Sequence, residues 1–258
     1  MIGCIIQARM GSSRLPGKVF EKINSKDTVL DFVVKQISYS KKIQHIVVAT
    51  TDLEEDNIIS EHLNNKKINF FRGSSQDVLD RFFQCAKKFS FDIIVRITAD
   101  NPLIDPNIID KVIQKYQNIN CDFTSNTLKR TFPYGTEVEV FSFNSLEKAW
   151  KNSKKPSERE HVTPFIYNTK NEFHCENLEN DTDFSFLRYT VDKIEDLRLV
   201  KEIIRNIQER PILLNHIIDL YEKNPEIFKI NEGVKHDGYL KSLKKDEEYF
   251  KSQNGISG

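Results

Sequence analysis

Residues 2–18 read IGCIIQARMGSSRLPGK, a short apolar run that passes directly into a polar loop. The apolar part, residues 2–6, is rich in isoleucine and lacks the alternation of a half-exposed strand, which is typical of a strand buried on both faces. Runs of the same kind recur at residues 46–49, 68–71 and 93–97. These four runs predict the central strands of a buried sheet.

Helical patterns separate the predicted strands. Apolar side chains recur at i, i+3, i+4 and i+7 in residues 30–37, 78–89 and 108–116. A residue suited to begin a helix precedes each pattern: Asp27 or Thr28, Asp77, and Pro106. Strands that alternate with helices at these lengths predict an α/β fold of the Rossmann-like kind, with a mostly parallel sheet flanked by helices. In such a sheet, ligands bind beyond the carboxyl ends of the strands.

The pattern loosens at about residues 124–185, which we interpret as a β-containing arm that covers the substrate or pairs with a second subunit. Within it, residues 137–143 alternate like an exposed strand or a strand at an interface, and residues 173–178 are its candidate partner. The core resumes with a predicted strand at residues 186–191 and a helix at 194–204.

Two domains follow from this organisation. Residues 1–210, with the arm, form an α/β domain, and residues 211–258 form a helical, lysine-rich extension that we expect to pack peripherally.

Composition narrows the class of protein. The 258 residues carry 38 basic and 38 acidic side chains, and a net charge of zero argues against a broad nucleic-acid-binding face. The first apolar run is too short to span a bilayer and no positive residue precedes it, so we expect a cytoplasmic protein without a signal peptide or membrane anchor. The four cysteines are far apart in the sequence and show no metal-binding spacing, which indicates reduced thiols: Cys4, Cys85, Cys121 and Cys175.

The loop after the first strand combines two glycines with the cations Arg9, Arg14 and Lys18. Glycines let backbone N–H groups approach an anion, and the cations suit a polyphosphate. The loop is not a Walker A motif, because five residues separate Gly11 from Gly17 and no Ser or Thr follows the lysine. A surface loop with solvated cations is the alternative.

Two aspartates stand near the carboxyl ends of predicted strands. Asp100 follows the run at residues 93–97, and Asp192 follows the run at residues 186–191. Carboxylate oxygens suit Mg²⁺, which would bridge phosphate oxygens there. Either aspartate alone is more typical of a cap or turn, but together with the cationic loop they predict a magnesium site.

Several motifs resemble those of the cytidylyltransferases that make CMP-activated acidic sugars, in the branch of the spore-coat polysaccharide biosynthesis proteins. The resemblance covers nearly the whole chain. Besides the loop at residues 7–18, it rests on GSSQDVLDR (73–81), RITADNPLIDP (96–106), PYGTEVE (133–139), EREHVT (158–163) and RYTVD (188–192). It implies a nucleotide-diphospho-sugar transferase fold, CTP and an anionic sugar-like acceptor as substrates, Mg²⁺, a homodimer and a role in surface polysaccharide biosynthesis.

The resemblance also assigns site residues. The expected nucleotide-binding residues are Gln7, Ala8, Arg9, Gly11, Ser12, Ser13, Arg14, Lys18, Ser74 and Arg81, the last two at the cytidine. The expected catalytic residues are Arg14, Lys18, Asp100 and Asp192, and the two aspartates are the expected metal ligands.

Four further residues are candidates for substrate binding: Arg96, Glu137, Glu139 and His161. Arg96 supports the aspartate strand or binds the acidic substrate. Glu137 and Glu139 bind an amine or hydroxyls, or solvate the arm. His161 reads as part of the opening turn of a helix, where it orients the substrate, caps the helix or acts as a general base.

We therefore expect a nucleotidyltransferase in which an acceptor oxygen attacks the α-phosphorus of CTP in line and pyrophosphate leaves. Three alternatives stay open at this point. The first is another nucleotide, or a phosphonate or polyol-phosphate acceptor. The others are a glycosyltransferase of the same fold and a catalytically silent nucleotide-binding module.

Overall fold

The computed structural model describes residues 1–168, 173–234 and 238–254. Its strands are β1 (Ile2–Gln7), β2 (His45–Thr51), β3 (Phe70–Gly73), β4 (Ile93–Thr98), β5 (Phe123–Ser125), β6 (Glu139–Ser142) and β7 (Cys175–Asn177). They form one sheet in the order β3-β2-β1-β4-β6-β5-β7. The first four strands are parallel to one another, and β6 is antiparallel to both of its neighbours. The predicted α/β fold with a mostly parallel sheet is confirmed.

Helices cover both faces of the sheet. They are α1 (Val29–Ile37), α2 (Asn57–Asn65), α3 (Val78–Lys88), α4 (Pro106–Asn118), α5 (Phe143–Asn152), α6 (Pro156–His161), α7 (Pro164–Asn168), α8 (Ile194–Asn206), α9 (Leu214–Lys223) and α10 (Gly238–Asn254). The four helices expected from apolar spacing are confirmed as α1, α3, α4 and α8. Thr28 caps α1 and Asp77 caps α3, each by accepting a hydrogen bond from a backbone N–H of the first turn.

The alternating side chains of β1 show how the core is divided. Cys4 and Ile6 face the cluster that includes α1 and α4, whereas Ile5 faces the cluster that includes α3 and α5. All three side chains are fully buried. Burial of an aliphatic side chain of this size contributes about 1.5–3 kcal/mol, so a strand buried on both faces is strongly held in register.

The region expected to form an arm instead continues the sheet. The predicted strand at residues 137–143 is β6, which lies between β4 and β5 and is mostly buried, so the alternative of an exposed strand was wrong. Its predicted partner at residues 173–178 is β7, but β7 pairs with β5. The alternation of polar and apolar residues in this strand suggests a solvent-exposed face. Its polar residue Glu139 is instead only 8% exposed, because it is ion-paired with Arg96, the residue opposite it on β4.

The expected strand at residues 186–191 is also wrong. Phe186 is 63% exposed, and the buried residues 187–191 form a single isolated bridge, Tyr134 to Arg188, because residues 131–135 pass beside them without forming a regular strand. Asp192 therefore follows an extended segment and not a strand.

The C-terminal part is helical as expected, but it does not pack peripherally. Ile217 and Leu220 of α9 and Phe228 of the following 3-10 helix (Pro225–Asn231) join α8 in a third apolar cluster. The domain boundary at residue 210 stays a prediction.

Two smaller features complete the fold. The four cysteines are free thiols, and burial raises the pKa of Cys85 to about 12. Among the described helices, none is both long enough and apolar enough to cross a bilayer.

Candidate active site

A cavity of about 440 Å³ opens at the carboxyl ends of β1 and β4. The loop that follows β1 lines it, together with residues 98–100 at the end of β4 and Asp192. Side chains of α6 and α10 form a further wall. The cavity is thus at the edge of the sheet where the parallel topology predicts a ligand site.

Asp56 holds the loop after β1 in place by a hydrogen bond to its backbone. The carboxylate of this fully buried residue accepts a hydrogen bond from Met10 N at 2.7 Å and another from the Thr51 hydroxyl. Met10 O in turn accepts hydrogen bonds from Ser12 N and Gly17 N, and Gly17 has a φ of 71°, which glycine adopts without strain. The loop is therefore closed into a compact turn.

This turn leaves hydrogen-bond donors unused. Within the described residues, the backbone N–H groups of Gly11, Ser13 and Arg14 donate to no acceptor. The exposed Arg9 side chain likewise has no hydrogen bond or ion pair in the described part of the chain. Free N–H groups beside an unpaired cation suit an anionic ligand.

Lys18 joins the two predicted metal ligands. Its Nζ lies 2.7 Å from Asp100 Oδ2 and 2.8 Å from Asp192 Oδ1, and it also donates to Val191 O at 2.9 Å. Arg14 Nη2 approaches the same Asp192 oxygen at 3.0 Å. The structure thus brings together all four residues expected to be catalytic.

The charges in this cluster stabilise one another. Burial alone would lower the pKa of Lys18, but Asp100 and Asp192 outweigh it and the pKa is raised. Burial alone would raise the pKa of Asp192, but the charge and hydrogen bonds of Lys18 and Arg14 hold it well below its ordinary range. Lys18 and Asp192 are therefore both charged at neutral pH.

Asp192 is also held from behind by Arg188. Arg188 Nη2 donates to Asp192 Oδ2 at 3.2 Å, and its Nε donates to Asp196 Oδ1 at 3.1 Å. Asn231, from the 3-10 helix near the C-terminal end, donates to Asp196 Oδ1 at 2.8 Å. The position of Asp192 therefore depends on residues of α8 and of the C-terminal part.

The donor set is compatible with a small hard cation. Asp100 and Asp192 both place an oxygen within 2.8 Å of one ammonium nitrogen, so their carboxylates already converge on a single positive charge. Among the described residues no group of three or more His, Cys, Asp or Glu side chains is suited to a metal ion. Two carboxylates would leave the remaining positions of Mg²⁺ to water and phosphate oxygens, which is usual for this ion.

Arg81 lines the cavity beyond the loop, beside Val78. Its side chain is 2% exposed, Nη1 donates to Ser74 O at 2.6 Å, and Nε has no partner in the described structure. Burial and the charge of Arg9 lower the pKa of Arg81 to about 10. Ser74 itself does not line the cavity, because its Oγ accepts from Asp77 N at the start of α3.

The other expected nucleotide-binding residues also line the cavity. They are Gln7, Ala8, Arg9, Gly11, Ser12, Ser13, Arg14 and Lys18.

Three of the expected substrate-binding residues lie outside the cavity lining. Arg96 donates to Glu139 Oε2 at 2.5 Å and to Gln7 Oε1 at 3.1 Å. It therefore supports Gln7, which lines the cavity at the end of β1. Glu139 also accepts from Thr163 Oγ1 at 3.0 Å. Glu137 accepts from Arg130 at 2.8 Å and from Asn101 at 3.0 Å, so it ties residues near the end of β4 to the segment before β6.

His161 does line the cavity. It ends α6 and does not belong to an opening turn, so that detail of the sequence interpretation was wrong. Burial and the nearby charge of Arg96 lower the pKa of His161 to about 4. The imidazole is therefore neutral at physiological pH.

The residues of α10 that line the cavity were not predicted from the sequence. Ser242 and Lys245 of this helix line the cavity together with Glu160 of α6. The EREHVT motif pointed to α6, whereas nothing in the lysine-rich pattern of residues 238–254 distinguished Lys245 from its neighbours.

Comparisons with known sequences and structures find several relatives of this chain. A family model described as Cytidylyltransferase matches residues 3–237. An uncharacterized protein of Methanocaldococcus jannaschii is 42% identical over 91% of this chain and 96% of its own length. The spore coat polysaccharide biosynthesis protein SpsF of Bacillus subtilis is 34% identical over 86% of this chain and 94% of its own length.

Two further similar proteins are named as cytidylyltransferases. A 3-deoxy-manno-octulosonate cytidylyltransferase of Leptospira interrogans is 33% identical over 42% of this chain and 43% of that protein. The solved structure of a cytidylyltransferase from Leptospira borgpetersenii superposes with a TM-score of 0.85 at 34% identity, over 91% of this chain and 99% of that one.

Proposed function

Because the chain belongs to the cytidylyltransferase family and is therefore a nucleotidyltransferase enzyme, we propose that it transfers CMP from CTP to an oxygen of a sugar acid and releases pyrophosphate. The acceptor class is suggested by the similarity to the 3-deoxy-manno-octulosonate cytidylyltransferase. A role in surface polysaccharide biosynthesis is suggested by the similarity to the spore coat polysaccharide biosynthesis protein SpsF. Both are proposals for this chain.

The observation that carries the proposal is the position of Lys18. Its ammonium group lies between Asp100 and Asp192, which are 82 and 174 residues away in sequence. Such a cluster, next to a loop with unused N–H donors and the unpaired Arg9, combines the charges that nucleotidyl transfer requires. Catalysis of this kind depends on positioning and on stabilisation of developing negative charge.

Each group has a role in the proposed reaction. Arg9, Arg14 and Lys18 bind the triphosphate, and the free N–H groups of the loop donate to its oxygens. The acceptor oxygen attacks the α-phosphorus in line, the bond from the α-phosphorus to the bridging oxygen breaks, and pyrophosphate leaves with the electron pair. The acceptor hydroxyl loses its proton to water in the open cleft.

The metal is also part of the proposal. Asp100 and Asp192 would hold Mg²⁺, which when bound withdraws charge from the phosphate oxygens. The same two carboxylates hold Lys18 in the protein alone, so they are oriented before the nucleotide arrives. Arg188 keeps Asp192 in this orientation.

Base recognition is assigned to Arg81. Its unpartnered Nε lies in a 98%-buried side chain at the cavity, and a buried donor without a partner is costly unless a ligand accepts its hydrogen bond. A cytosine ring offers such an acceptor. Ser74 acts by orienting Arg81 through its carbonyl group.

The proposal also covers the assembly of the protein and its place of action. Strand β7 is at one end of the described sheet, so its outer edge is free to meet a second subunit, and we propose a homodimer. Light scattering that gives the mass of one chain would contradict this. A reaction that consumes CTP favours the cytoplasm as its place of action.

One assay tests the function. Purified protein is incubated with each of the four nucleoside triphosphates and with 3-deoxy-manno-octulosonate, N-acetylneuraminate, a polyol phosphate or a phosphonate, and pyrophosphate release is measured. We expect release from CTP with a sugar acid in magnesium, and none with EDTA. Release that requires another nucleotide, or release with the phosphate or phosphonate acceptor alone, would overturn the proposed substrates.

A further inference from the structure

Helix α10 is docked on the rest of the protein by one buried carboxylate. Asp246 is 8% exposed, and its two oxygens accept hydrogen bonds from Ser157 N at 2.9 Å and from Ser157 Oγ at 2.5 Å. A carboxylate bound by a backbone N–H and a hydroxyl in a buried position makes a directional contact. The contact therefore fixes the rotation of α10 against α6.

This docking places two polar side chains of α10 in the cavity wall. Ser242 Oγ lies 2.7 Å from His161 Nε2, and Lys245 Nζ lies 2.9 Å from Glu160 Oε2. Ser242 Oγ is also 3.3 Å from the same glutamate oxygen. Two residues of α6 and two of α10 thus form one hydrogen-bonded group, which we call the α6–α10 wall.

The α6–α10 wall differs in chemistry from the loop that follows β1. The loop presents Arg9, Arg14 and Lys18, whereas the charges of Glu160 and Lys245 cancel and the burial of His161 keeps its ring neutral. The wall therefore offers hydrogen-bond donors and acceptors without net charge. Such a surface suits the hydroxyl groups of a sugar and does not compete with the loop for the triphosphate.

The wall also extends past the region that the family shares. The family model ends at residue 237, and α10 begins at Gly238. A segment outside the shared region that nevertheless lines the cavity is suited to a property that varies among relatives. Nucleotide binding is common to a cytidylyltransferase family, so the acceptor is the substrate that such a segment would distinguish.

From these contacts we propose that the α6–α10 wall is an acceptor subsite, in which Ser242 and Lys245 bind the hydroxyl-bearing part of the sugar acid. The proposal rests on the proposed function, because it requires an acceptor in this cavity. It makes Ser242 and Lys245 specificity-determining residues that act on acceptor binding and not on CTP.

The test measures pyrophosphate release from CTP with 3-deoxy-manno-octulosonate as the acceptor probe. Ser242→Ala and Lys245→Met are each compared with Lys244→Met, a matched control in which the neighbouring exposed lysine of α10 is changed. Loss of a hydrogen bond in the subsite should raise the KM of the acceptor about tenfold, while the KM of CTP changes less than about twofold. The control should match the unchanged protein.

A second variant tests the docking of α10 itself. Asp246→Ala removes the contact with Ser157, so hydrogen exchange in residues 238–254 should become faster and the KM of the acceptor should rise as in Lys245→Met. Faster exchange with an unchanged acceptor KM would overturn the proposal.

The outcomes separate the two proposals. If the unchanged protein releases no pyrophosphate from CTP with any sugar acid, the proposed function fails and this subsite fails with it. If the unchanged protein is active but Lys245→Met and Lys244→Met have the same acceptor KM, the subsite alone is refuted and the proposed function stands.

Discussion

Arg188 Nη2 lies 3.2 Å from Asp192 Oδ2, while Lys18 Nζ lies 2.8 Å from Asp192 Oδ1. Two cations from distant parts of the chain thus fix the two oxygens of one carboxylate. Arg188 also binds the fully buried Asp196 of α8. The orientation of Asp192 therefore depends on a buried ion pair between Arg188 and α8.

Replacement of Arg188 by Met should destabilise the protein. The change leaves the carboxylate of Asp196 buried without its cation, and loss of one partner from a buried ion pair costs about 3–5 kcal/mol. Urea denaturation should show this loss in the free energy of unfolding. The control is Arg198→Met, at an exposed position on α8, which should change the free energy by less than about 0.5 kcal/mol. Equal stability of the two variants would show that Arg188 has no such role.

Asp100→Asn should reduce turnover without unfolding the protein. The amide keeps the shape of the side chain but loses the charge that binds Lys18 and that would bind Mg²⁺, so we expect kcat to fall about 100-fold or more. The side chain is 24% exposed, so the free energy of unfolding should change by no more than about 1 kcal/mol. Asp181→Asn, at an exposed position, provides the control. Nearly full activity of Asp100→Asn in magnesium would refute the metal role.

Lys18→Met should weaken the binding of CTP far more than that of CMP. The ammonium group would contact the phosphates that leave as pyrophosphate, and a charged hydrogen bond is worth about a 10- to 100-fold change in Kd. Isothermal titration with each nucleotide measures both affinities. Equal weakening of the two would mean that Lys18 serves only to hold the aspartates.

Stability should fall as the pH falls from about 6.5 to about 4, because of His161. Its folded pKa is about 4, whereas an unfolded histidine titrates near 6.5. Between these values the unfolded chain binds a proton that the folded chain refuses, so acid favours unfolding, by roughly 3 kcal/mol at most across the window. Above the window the contribution is constant.

Thermal unfolding at several pH values checks this, with His161→Gln as the test variant and His174→Gln, at an exposed position, as its control. The slope between pH 6.5 and 4 should flatten in the first variant only. The depressed pKa of Asp192 acts in a lower pH range, because the carboxylate loses its stabilising charge only as the pH falls below the ordinary range for Asp. A slope that survives in His161→Gln would assign the pH dependence to other groups.

The sequence was sufficient to predict the parallel half of the sheet because burial on both faces leaves a continuous apolar run in β1, β2 and β4, while β3, at the edge of the sheet, is only partly buried. It failed for β6, since the pairing of Glu139 with Arg96 places a charge in the interior, where the pattern reads it as exposed. It also failed for residues 186–191, because the apolar side chains of residues 187–191 are buried as in a strand while the backbone forms only one isolated bridge. The apolar pattern of a sequence indicates which side chains are buried. It does not show whether the backbone of the same residues is hydrogen-bonded to a neighbouring strand.

The candidate site shows the same division. The loop residues and Asp100 lie near the carboxyl ends of β1 and β4, at the edge where the topology places ligands, whereas Asp192 follows an extended segment that the pattern took for a strand. The contribution of α10 was not predictable, because Ser157 and Asp246 are 89 residues apart and make a polar contact that leaves no periodicity in either segment. Glu137 and Glu139 share a spacing of two residues, yet each is bound to different partners away from the cavity.

The contact of Asp246 with Ser157 is one of several hydrogen bonds between α10 and α6, and it is separate from those that Ser242 and Lys245 make in the cavity wall. We therefore expect that the last helix can be exchanged between relatives without disturbing the sheet, provided that the new helix keeps a carboxylate for Ser157. A chimera that carries the terminal helix of another cytidylyltransferase would then keep its nucleotide chemistry and acquire the donor's choice of sugar.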